Sequence, residues 1–334
     1  MNKKQTKKVL YAAAAAAALM TGGCMTQKNS EMYPAPGHQE EVLVQSEHGN
    51  LYGTIDLPEG KGPFPAVLII SGSGPTDRDG NSELMKKPND SLKMTGAWIA
   101  SFGTAALRYD KRGVGASKDA AGITEETVFE DMIYDAALWI KYLKNDPRFS
   151  SIGVLGHSEG ALVGMCAAKQ EGADFYISIS GAGRPITEVL REQLASQPKF
   201  VTKKSGPILD EIEKGNRVDD VPKILKNLFK PELQPYVISW NQYDPEKIIA
   251  DLDMPVLIAQ GSTDLQTSSK DAEILAEANS RSELAVIEGM NHVLKDAPPN
   301  KLKNLQVYTK PNVPLSAGFV ESLEGFLKRN QMSK

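Results

Sequence analysis

A short segment in the middle of the chain carries the side chain with the clearest chemical potential. Residues 156–160 read GHSEG, after the apolar run 152–155 and before an alanine-containing, helix-like stretch. In a sharp turn between a strand and a helix, a serine side chain is held at the edge of a sheet, and flanking glycines let the backbone double back. The pattern predicts that Ser158 is a nucleophile. An ordinary strand-to-helix loop is the alternative.

A serine hydroxyl becomes a good nucleophile only when a base accepts its proton, and imidazole is the usual base near neutral pH. The chain has 4 histidines. Two lie in or near the N-terminal segment and His157 belongs to the serine turn, which leaves His292, just after the strand-like residues 284–287. Asp264, in the loop after the apolar run 255–260, is the candidate carboxylate that orients the imidazole.

These three residues follow one another as Ser158, Asp264 and His292, each on a loop after a predicted strand. That order and that placement are what a serine, aspartate and histidine triad at one edge of a parallel sheet requires. Two other aspartates precede the strand at 255–260 and would lie at the opposite edge, whereas Asp271 falls on the following helix. The sequence therefore predicts a catalytic triad.

A second loop could supply backbone hydrogen-bond donors. Residues 71–75 read SGSGP and follow the apolar run 66–70. In acyl transfer, the carbonyl oxygen becomes negative in the transition state, so two fixed N–H groups are needed beside it. We assign them to Ser73 and to Glu159, the residue after the nucleophile. A phosphate-binding glycine loop is the alternative, but acids rather than a lysine follow this one.

The stretch 108–117, RYDKRGVGAS, is also rich in charge. It could bind an anion. Glycines among paired opposite charges are more typical of a salt-bridged loop, and this interpretation is favoured.

Beyond residue 42, short apolar runs alternate with amphipathic stretches, which is typical of an α/β layered fold. The first two runs, 42–45 and 51–57, are close enough in sequence to form a hairpin. Thr127 with Glu130 predicts a capping box at the start of a helix. The expected segments are a signal peptide at 1–23, a lipidated cysteine and tether at 24–41, core segments at 42–185 and 254–334, and a helical cap at 186–253.

The predicted cap contains no strand-like run, and its apolar residues recur at helical spacing. It follows the sixth predicted strand and would lie over the serine. Its aromatic residues Phe229, Trp240 and Tyr243 are candidates for substrate contact, with packing inside the cap as the alternative. Its acidic residues could anchor a free amino group or form a solvated face.

The N-terminal residues predict export. Four lysines precede the apolar run 9–20, which is too short to span a bilayer comfortably. Small residues directly before Cys24 resemble a bacterial lipoprotein signal, although Thr21 replaces its large aliphatic residue. The resemblance implies cleavage before Cys24, a lipid on its thiol and anchoring in a cell-envelope membrane. Met25 in place of an aspartate favours the outer membrane. A soluble export signal is the alternative.

The net charge and the cysteine content argue against a nucleic-acid-binding protein and against a disulfide-stabilised fold. The net charge is −4, and cleavage before Cys24 would make it about −8 because only lysines are removed. An acidic protein is a poor partner for nucleic acid. Cys166 is the only other cysteine and lies in an apolar helix, so no disulfide framework is expected.

Taken together, these motifs resemble the α/β-hydrolase superfamily, in its branch of bacterial serine esterases related to serine aminopeptidases and dienelactone hydrolases. The resemblance rests on the segments at 71–79, 109–115, 156–160, 243–245, 261–266 and 291–292. It implies a mostly parallel sheet flanked by helices and hydrolysis of small acyl or aryl carboxylic esters, without metal or organic cofactor. A serine aminopeptidase-like peptidase, a thioesterase and a non-catalytic lipoprotein binding module are the alternatives. The motifs leave the oligomeric state open.

Overall fold

The computed structural model describes residues 32–331. The predicted signal peptide and Cys24 lie outside these residues. Between residues 32 and 331, the helices are all too short or too polar to cross a membrane.

A single sheet of eight strands forms the centre of the described chain, in the order β1-β2-β4-β3-β5-β6-β7-β8. The strands are β1 (His38–Ser46), β2 (Gly49–Leu57), β3 (Phe64–Ile70), β4 (Ala105–Tyr109), β5 (Phe149–His157), β6 (Phe175–Ile179), β7 (Val256–Gly261) and β8 (Ser282–Ile287). β2 runs antiparallel to β1 and β4, and the other neighbours are parallel. The loops that follow the parallel strands therefore meet at one edge.

Helices cover both faces of this sheet. They are α1 (Ser91–Ser101), α2 (Phe129–Asn145), α3 (Glu159–Glu171), α4 (Ile186–Ala195), α5 (Lys199–Glu213), α6 (Lys226–Phe229), α7 (Gln234–Trp240), α8 (Pro245–Ala250), α9 (Ser269–Ala278), α10 (Lys301–Val307) and α11 (Ala317–Gln331). Single 3-10 turns occur at Gly115–Ser117 and Pro231–Leu233. Helices α4 to α8 all fall between β6 and β7, so they form the insertion that we call the cap.

The central strands are mostly apolar and are buried along their whole length because both of their faces are covered. All five residues of β4 and of β6 are buried. Apolar residues of α2 and α3 pack on one face of the sheet, and those of α1 and α11 pack on the other. On α2 the buried residues recur every three or four positions, as in Met132, Ala136 and Ile140, which is the stripe that a surface helix needs.

Two boundaries differ from the sequence prediction. β1 begins at His38, four residues earlier than predicted, and Met32 and Tyr33 pack against the core. The predicted tether at 24–41 is therefore wrong for its last part, because these residues lie on the domain. Helix α2 begins after Val128, whose N–H donates to Asp131 Oδ2 at 2.9 Å. The predicted capping box at residue 127 is thus one residue too early.

The cap has a hydrophobic cluster of its own. Apolar residues from α4, α5, α6 and α7 are buried together, and Phe229 at the end of α6 is fully buried among them. A cluster of this kind lets a short helical insertion keep its own shape on the surface of the larger core.

Candidate active site

Ser158 lies on a strained turn between β5 and α3. Its backbone angles are φ 57° and ψ −121°, a region that residues with a side chain rarely occupy. The flanking glycines are required sterically: a Cβ on Gly156 would collide with the Gly160 carbonyl, and a Cβ on Gly160 would collide with the Ile70 carbonyl. The turn therefore holds the Ser158 side chain away from the strand axis at the edge of the sheet, as the sequence predicts.

The loop after β3 lies directly against this serine. A Cβ placed on Gly72 would be 3.1 Å from Cβ of Ser158. Among residues 32–331, no recorded backbone hydrogen bond uses the N–H of Ser73 or of Glu159. The Glu159 N–H is at the first position of α3, where a helix leaves its amide groups free. Both predicted donors are therefore available for a ligand oxygen near Ser158.

Asp264 and His292 form a direct pair. His292 Nδ1 lies 2.8 Å from Asp264 Oδ2, and both side chains are almost completely buried. Asp264 also accepts hydrogen bonds from the N–H groups of Gln266 at 2.7 Å and Thr267 at 3.2 Å. Burial alone would raise the pKa of Asp264, but the His292 ring and these donors hold it below its usual value. With Asp264 ionised, the proton of the imidazole is on Nδ1, and Nε2 is free to act as a base.

His157 links the serine turn to the histidine loop. Its Nε2 lies 2.8 Å from the main-chain oxygen of His292, and the two imidazole rings are 4.8 Å apart between centroids. Burial, with a smaller effect of His292, lowers the pKa of His157 to about 3. A neutral His157 donates its Nε2–H to that carbonyl. This contact brings the backbone of the candidate base next to the candidate nucleophile, and no local sequence pattern indicates it.

The structure brings Ser158 and His292 into the same region, but within residues 32–331 it records no hydrogen bond between their side chains. Such contacts are often long before a substrate binds and tighten in the reacting complex.

A cavity of about 650 Å³ opens beside Ser158. Its wall includes Ser73 and Glu159, whereas Asp264 and His292 are not on it. Most of the wall is aliphatic and comes from both α3 and the cap, including Leu162, Val189, Leu190, Ile224 and Leu228. A cavity of this volume, whose wall is largely aliphatic but also carries basic side chains such as Arg184 and Lys226, suits a small molecule with an apolar part.

The three aromatic cap residues predicted to contact substrate differ in position. Trp240 lines the cavity. Phe229 and Tyr243 do not, and for these two the prediction is wrong. Phe229 is fully buried inside the cap, because its ring fills the hydrophobic cluster there. Tyr243 packs against Phe129 and donates its hydroxyl to Glu130 at 2.9 Å, so it joins the cap to α2.

Glu159 contributes a side chain as well as an amide. Tyr236 of α7 donates its hydroxyl to Glu159 Oε1 at 2.5 Å, and both residues are buried on the cavity wall. This hydrogen bond connects the residue after the nucleophile to the cap. The two residues are 77 positions apart, and nothing in the sequence links them.

The charged loop is salt-bridged, as favoured from the sequence. Arg108 pairs with Asp56 and Asp79, and Arg112 pairs with Asp135. Among residues 32–331, this loop included, no cluster of three or more histidine, cysteine or acidic side chains could hold a metal ion.

Solved structures with the same fold confirm the predicted fold class. Est1E from Butyrivibrio proteoclasticus with ferulic acid bound superposes with a TM-score of 0.61 at 20% identity, over 88% of this chain and 100% of that chain. An α/β-hydrolase, GrgF from Penicillium sp. sh18, gives a TM-score of 0.57 at 15% identity, over 88% of this chain and 99% of that one. The protein therefore has the α/β-hydrolase fold.

Sequence comparison adds a relative whose name states an activity. The chain is 32% identical over 274 residues to esterase EstD of Thermotoga maritima, which is 78% of this chain and 61% of that protein. It thus spans about three fifths of the relative's length. No protein-family model matches the chain.

Proposed function

We propose that this protein is a serine hydrolase that cleaves carboxylic esters of small acyl or aryl groups through an acyl-enzyme at Ser158. The observation that carries the proposal is the buried Asp264–His292 pair near the strained Ser158 turn, which lines a cavity with a largely aliphatic wall. The similarity to an esterase over 78% of the chain supports it.

In the first step, His292 Nε2 accepts the proton of the Ser158 hydroxyl as its oxygen attacks the ester carbonyl. The proposal requires that Nε2 come within hydrogen-bond reach of this oxygen when substrate binds. The N–H groups of Ser73 and Glu159 donate to the developing oxyanion. His292 then gives the proton to the leaving alcohol, and the acyl group remains on Ser158.

In the second step, His292 accepts a proton from water, and the hydroxide attacks the acyl carbonyl. The same two amides stabilise the second oxyanion, the proton returns to the Ser158 oxygen and the free acid leaves. Asp264 keeps the Nδ1–H tautomer in place and stabilises the imidazolium in both steps. Every step uses side chains and backbone groups of this chain.

The cavity favours an ester over a peptide with a free amino terminus. Glu159 is the only acidic residue on the described cavity wall, and it already accepts from Tyr236. Two acidic residues of the cap pair with arginines, Glu192 with Arg184 and Asp210 with Arg191, and neither lines the cavity. An ammonium group would find no free carboxylate beside Ser158, which weighs against the aminopeptidase alternative.

A hydrolysis screen tests the proposal. Purified protein is assayed on acyl esters, the matching thioesters and aminoacyl arylamides, with Ser158→Ala as the control. We expect ester turnover that Ser158→Ala abolishes, and fluorophosphonate labelling at Ser158 alone. Faster turnover of the arylamides would favour a peptidase, and faster turnover of the thioesters a thioesterase. An unlabelled Ser158 in folded protein would favour a binding module.

We also propose that the protein is exported and anchored to a bacterial envelope membrane by a lipid on Cys24. The support is the sequence alone, since these residues lie outside the described range. Metabolic labelling with a radioactive fatty acid should mark the wild type but not Cys24→Ala. Equal labelling of both would rule out this anchor.

A further inference from the structure

The peptide unit between Gly72 and Ser73 has hydrogen-bonding groups on two sides. In a planar trans peptide, the carbonyl and the N–H point in opposite directions. The N–H belongs to Ser73 and is one of the two proposed oxyanion donors. The carbonyl belongs to Gly72 and accepts a hydrogen bond from the ammonium group of Lys111, the second residue after β4. Lys111 therefore holds the back of the peptide whose front faces the reacting carbonyl.

Lys111 is placed in an environment that is costly for a charged side chain. It is 8% exposed and, among residues 32–331, its ammonium forms no salt bridge within 4.0 Å. The ammonium donates to the Gly72 carbonyl oxygen. Burial lowers the pKa of Lys111, and the nearby Glu159 carboxylate partly opposes this effect. An ammonium without a carboxylate partner adds little to stability, so its presence calls for another explanation.

We propose that Lys111 is a positioning residue for ester hydrolysis, which fixes the Gly72–Ser73 peptide with the Ser73 N–H directed at the oxyanion. This inference rests on the proposed function of Ser158. Glycine on the N-terminal side of the peptide permits rotation that other residues resist. A rotated peptide would present the Gly72 carbonyl instead of the N–H, and its partial negative charge would repel the oxyanion. The Lys111 ammonium opposes that rotation.

Other anchors of this loop act on neighbouring peptides. Thr76 Oγ1 donates to Ser73 O at 2.9 Å, and Ser71 Oγ donates to Thr76 O at 3.1 Å. Neither contact reaches the Gly72 carbonyl. The orientation of the Gly72–Ser73 peptide therefore depends on Lys111 in particular.

The charge should matter in addition to the hydrogen bond. A cation on the carbonyl oxygen polarises the peptide and makes its N–H a stronger donor, because linked hydrogen bonds reinforce one another. A neutral donor at residue 111 would keep the orientation but lose this polarisation.

Two variants separate orientation from charge. Lys111→Met removes both, and Lys111→Gln can retain a neutral hydrogen bond. Because loss of one oxyanion donor lowers kcat about 100- to 1000-fold, we expect Lys111→Met to lower kcat about 10- to 100-fold, with Lys111→Gln between it and wild type. KM should change less than about threefold, while the affinity for a boronic acid transition-state analogue falls in parallel with kcat.

Lys144→Met is the matched control. Lys144 of α2 also donates to main-chain oxygens, those of Glu171 and Gly172. These acceptors lie at the C-terminal end of α3, whereas Ser158 precedes its N-terminal end. Loss of the Lys144 ammonium should leave kcat and analogue affinity unchanged. A Lys111→Met enzyme with wild-type kcat, or one in which KM rises and kcat does not fall, would overturn the inference. If Lys111→Met does not fold, Lys111→Gln decides by the same criteria.

The result can be separated from a failure of the proposed function. Absence of ester turnover in the wild type, with Ser158 unlabelled, would remove the proposed function. The inference is then decided by crystal structures of wild type and Lys111→Met, or Lys111→Gln if that variant alone folds. A turned Gly72–Ser73 peptide in the variant supports it, and the same orientation in both overturns it.

Discussion

The edge of the sheet around Ser158 and the cap above it are built in different ways. At the sheet edge, each candidate catalytic group is fixed by backbone geometry: a strained φ at Ser158, the Gln266 and Thr267 amides on Asp264, and the His157 contact to the main chain of His292. The cap instead encloses the cavity mainly with aliphatic side chains and has a separate hydrophobic cluster.

The two regions meet through aromatic packing and through side-chain hydrogen bonds. An aromatic group formed by Phe129 of α2 with Tyr236, Trp240 and Tyr243 joins them, with ring centroids 5.1 to 5.9 Å from Phe129. Hydrogen bonds from Tyr236 to Glu159, from Gln193 to the Gln266 carbonyl and from Tyr243 to Glu130 add polar links. Rigid backbone positions suit chemistry that tolerates little displacement, and adaptable aliphatic walls suit recognition. The comparison suggests that rate depends on the sheet edge and substrate preference on the cap.

The largest effect should come from the sheet edge. Ser158→Ala, His292→Ala and Asp264→Asn are each expected to lower kcat about 10⁴-fold or more, because the three groups act as a unit. A double variant should be little worse than the more damaging single one. Steady-state kinetics with thermal unfolding as a folding control checks this. Near-normal turnover by Asp264→Asn would show that Asp264 is not the orienting carboxylate.

A pair of cap variants tests whether the wall selects the substrate. Trp240→Ala removes a side chain from the wall and so enlarges the cavity. The ratios of kcat/KM among acetyl, butyryl and octanoyl esters should therefore shift by about 10- to 200-fold. Phe229→Ala creates a hole inside the cap and should cost about 3 to 5 kcal/mol of folding free energy, with little change in chain-length preference among molecules that remain folded.

The same two variants can contradict the proposal that rate depends on the sheet edge and substrate preference on the cap. Equal losses on all three esters for Trp240→Ala would indicate that this residue only holds the cap on α2 through its stacking on Phe129, 5.5 Å between centroids. A shifted preference in folded Phe229→Ala would mean that cap stability and selection are not separable.

The last prediction concerns the pH dependence of stability and the link at His157, which is not expected to change catalysis near neutral pH. Its folded pKa of about 3 lies below the ordinary value of 6.5, so protons bind preferentially to the unfolded chain. The stability that this group contributes is present above pH 6.5 and is lost as the pH falls towards 3, by at most about 1.4 kcal/mol per pH unit. His157→Gln keeps a donor and does not titrate. Urea unfolding at several pH values should show a steeper decline in wild type than in this variant, and parallel declines would contradict the assignment.

Much of the sheet edge could be predicted because its signals are local. An apolar run followed by GHSEG fixes a strand and a tight turn within a few residues, and Asp264 follows a similar run. The polar start of β1 at residues 38–41 has no apolar alternation because it lies at the sheet edge, with one face exposed. The start of β1 therefore could not be identified from alternating apolar residues.

The wall of the cavity was less predictable, since an aliphatic residue at helical spacing can face either the cap interior or the cavity. Phe229 and Trp240 look alike in the sequence, yet one is in the cap cluster and the other lines the cavity. The contacts of Lys111 with Gly72 and of Tyr236 with Glu159 join residues 39 and 77 positions apart. These contacts depend on the order of the strands in the sheet and on how the cap packs against it. A short sequence motif does not determine either.

The points where the cap leaves and rejoins the sheet bear on how a substrate could enter. β6 and β7 are parallel neighbours, with Tyr176 opposite Val256, so the cap departs from the edge near Ser158 and the chain returns at the far edge through α8. A segment secured at opposite ends of a sheet does not turn on a single hinge as a rigid lid does. We therefore expect admission of substrate to depend on local movement within the cap rather than on rotation of the whole cap as one body.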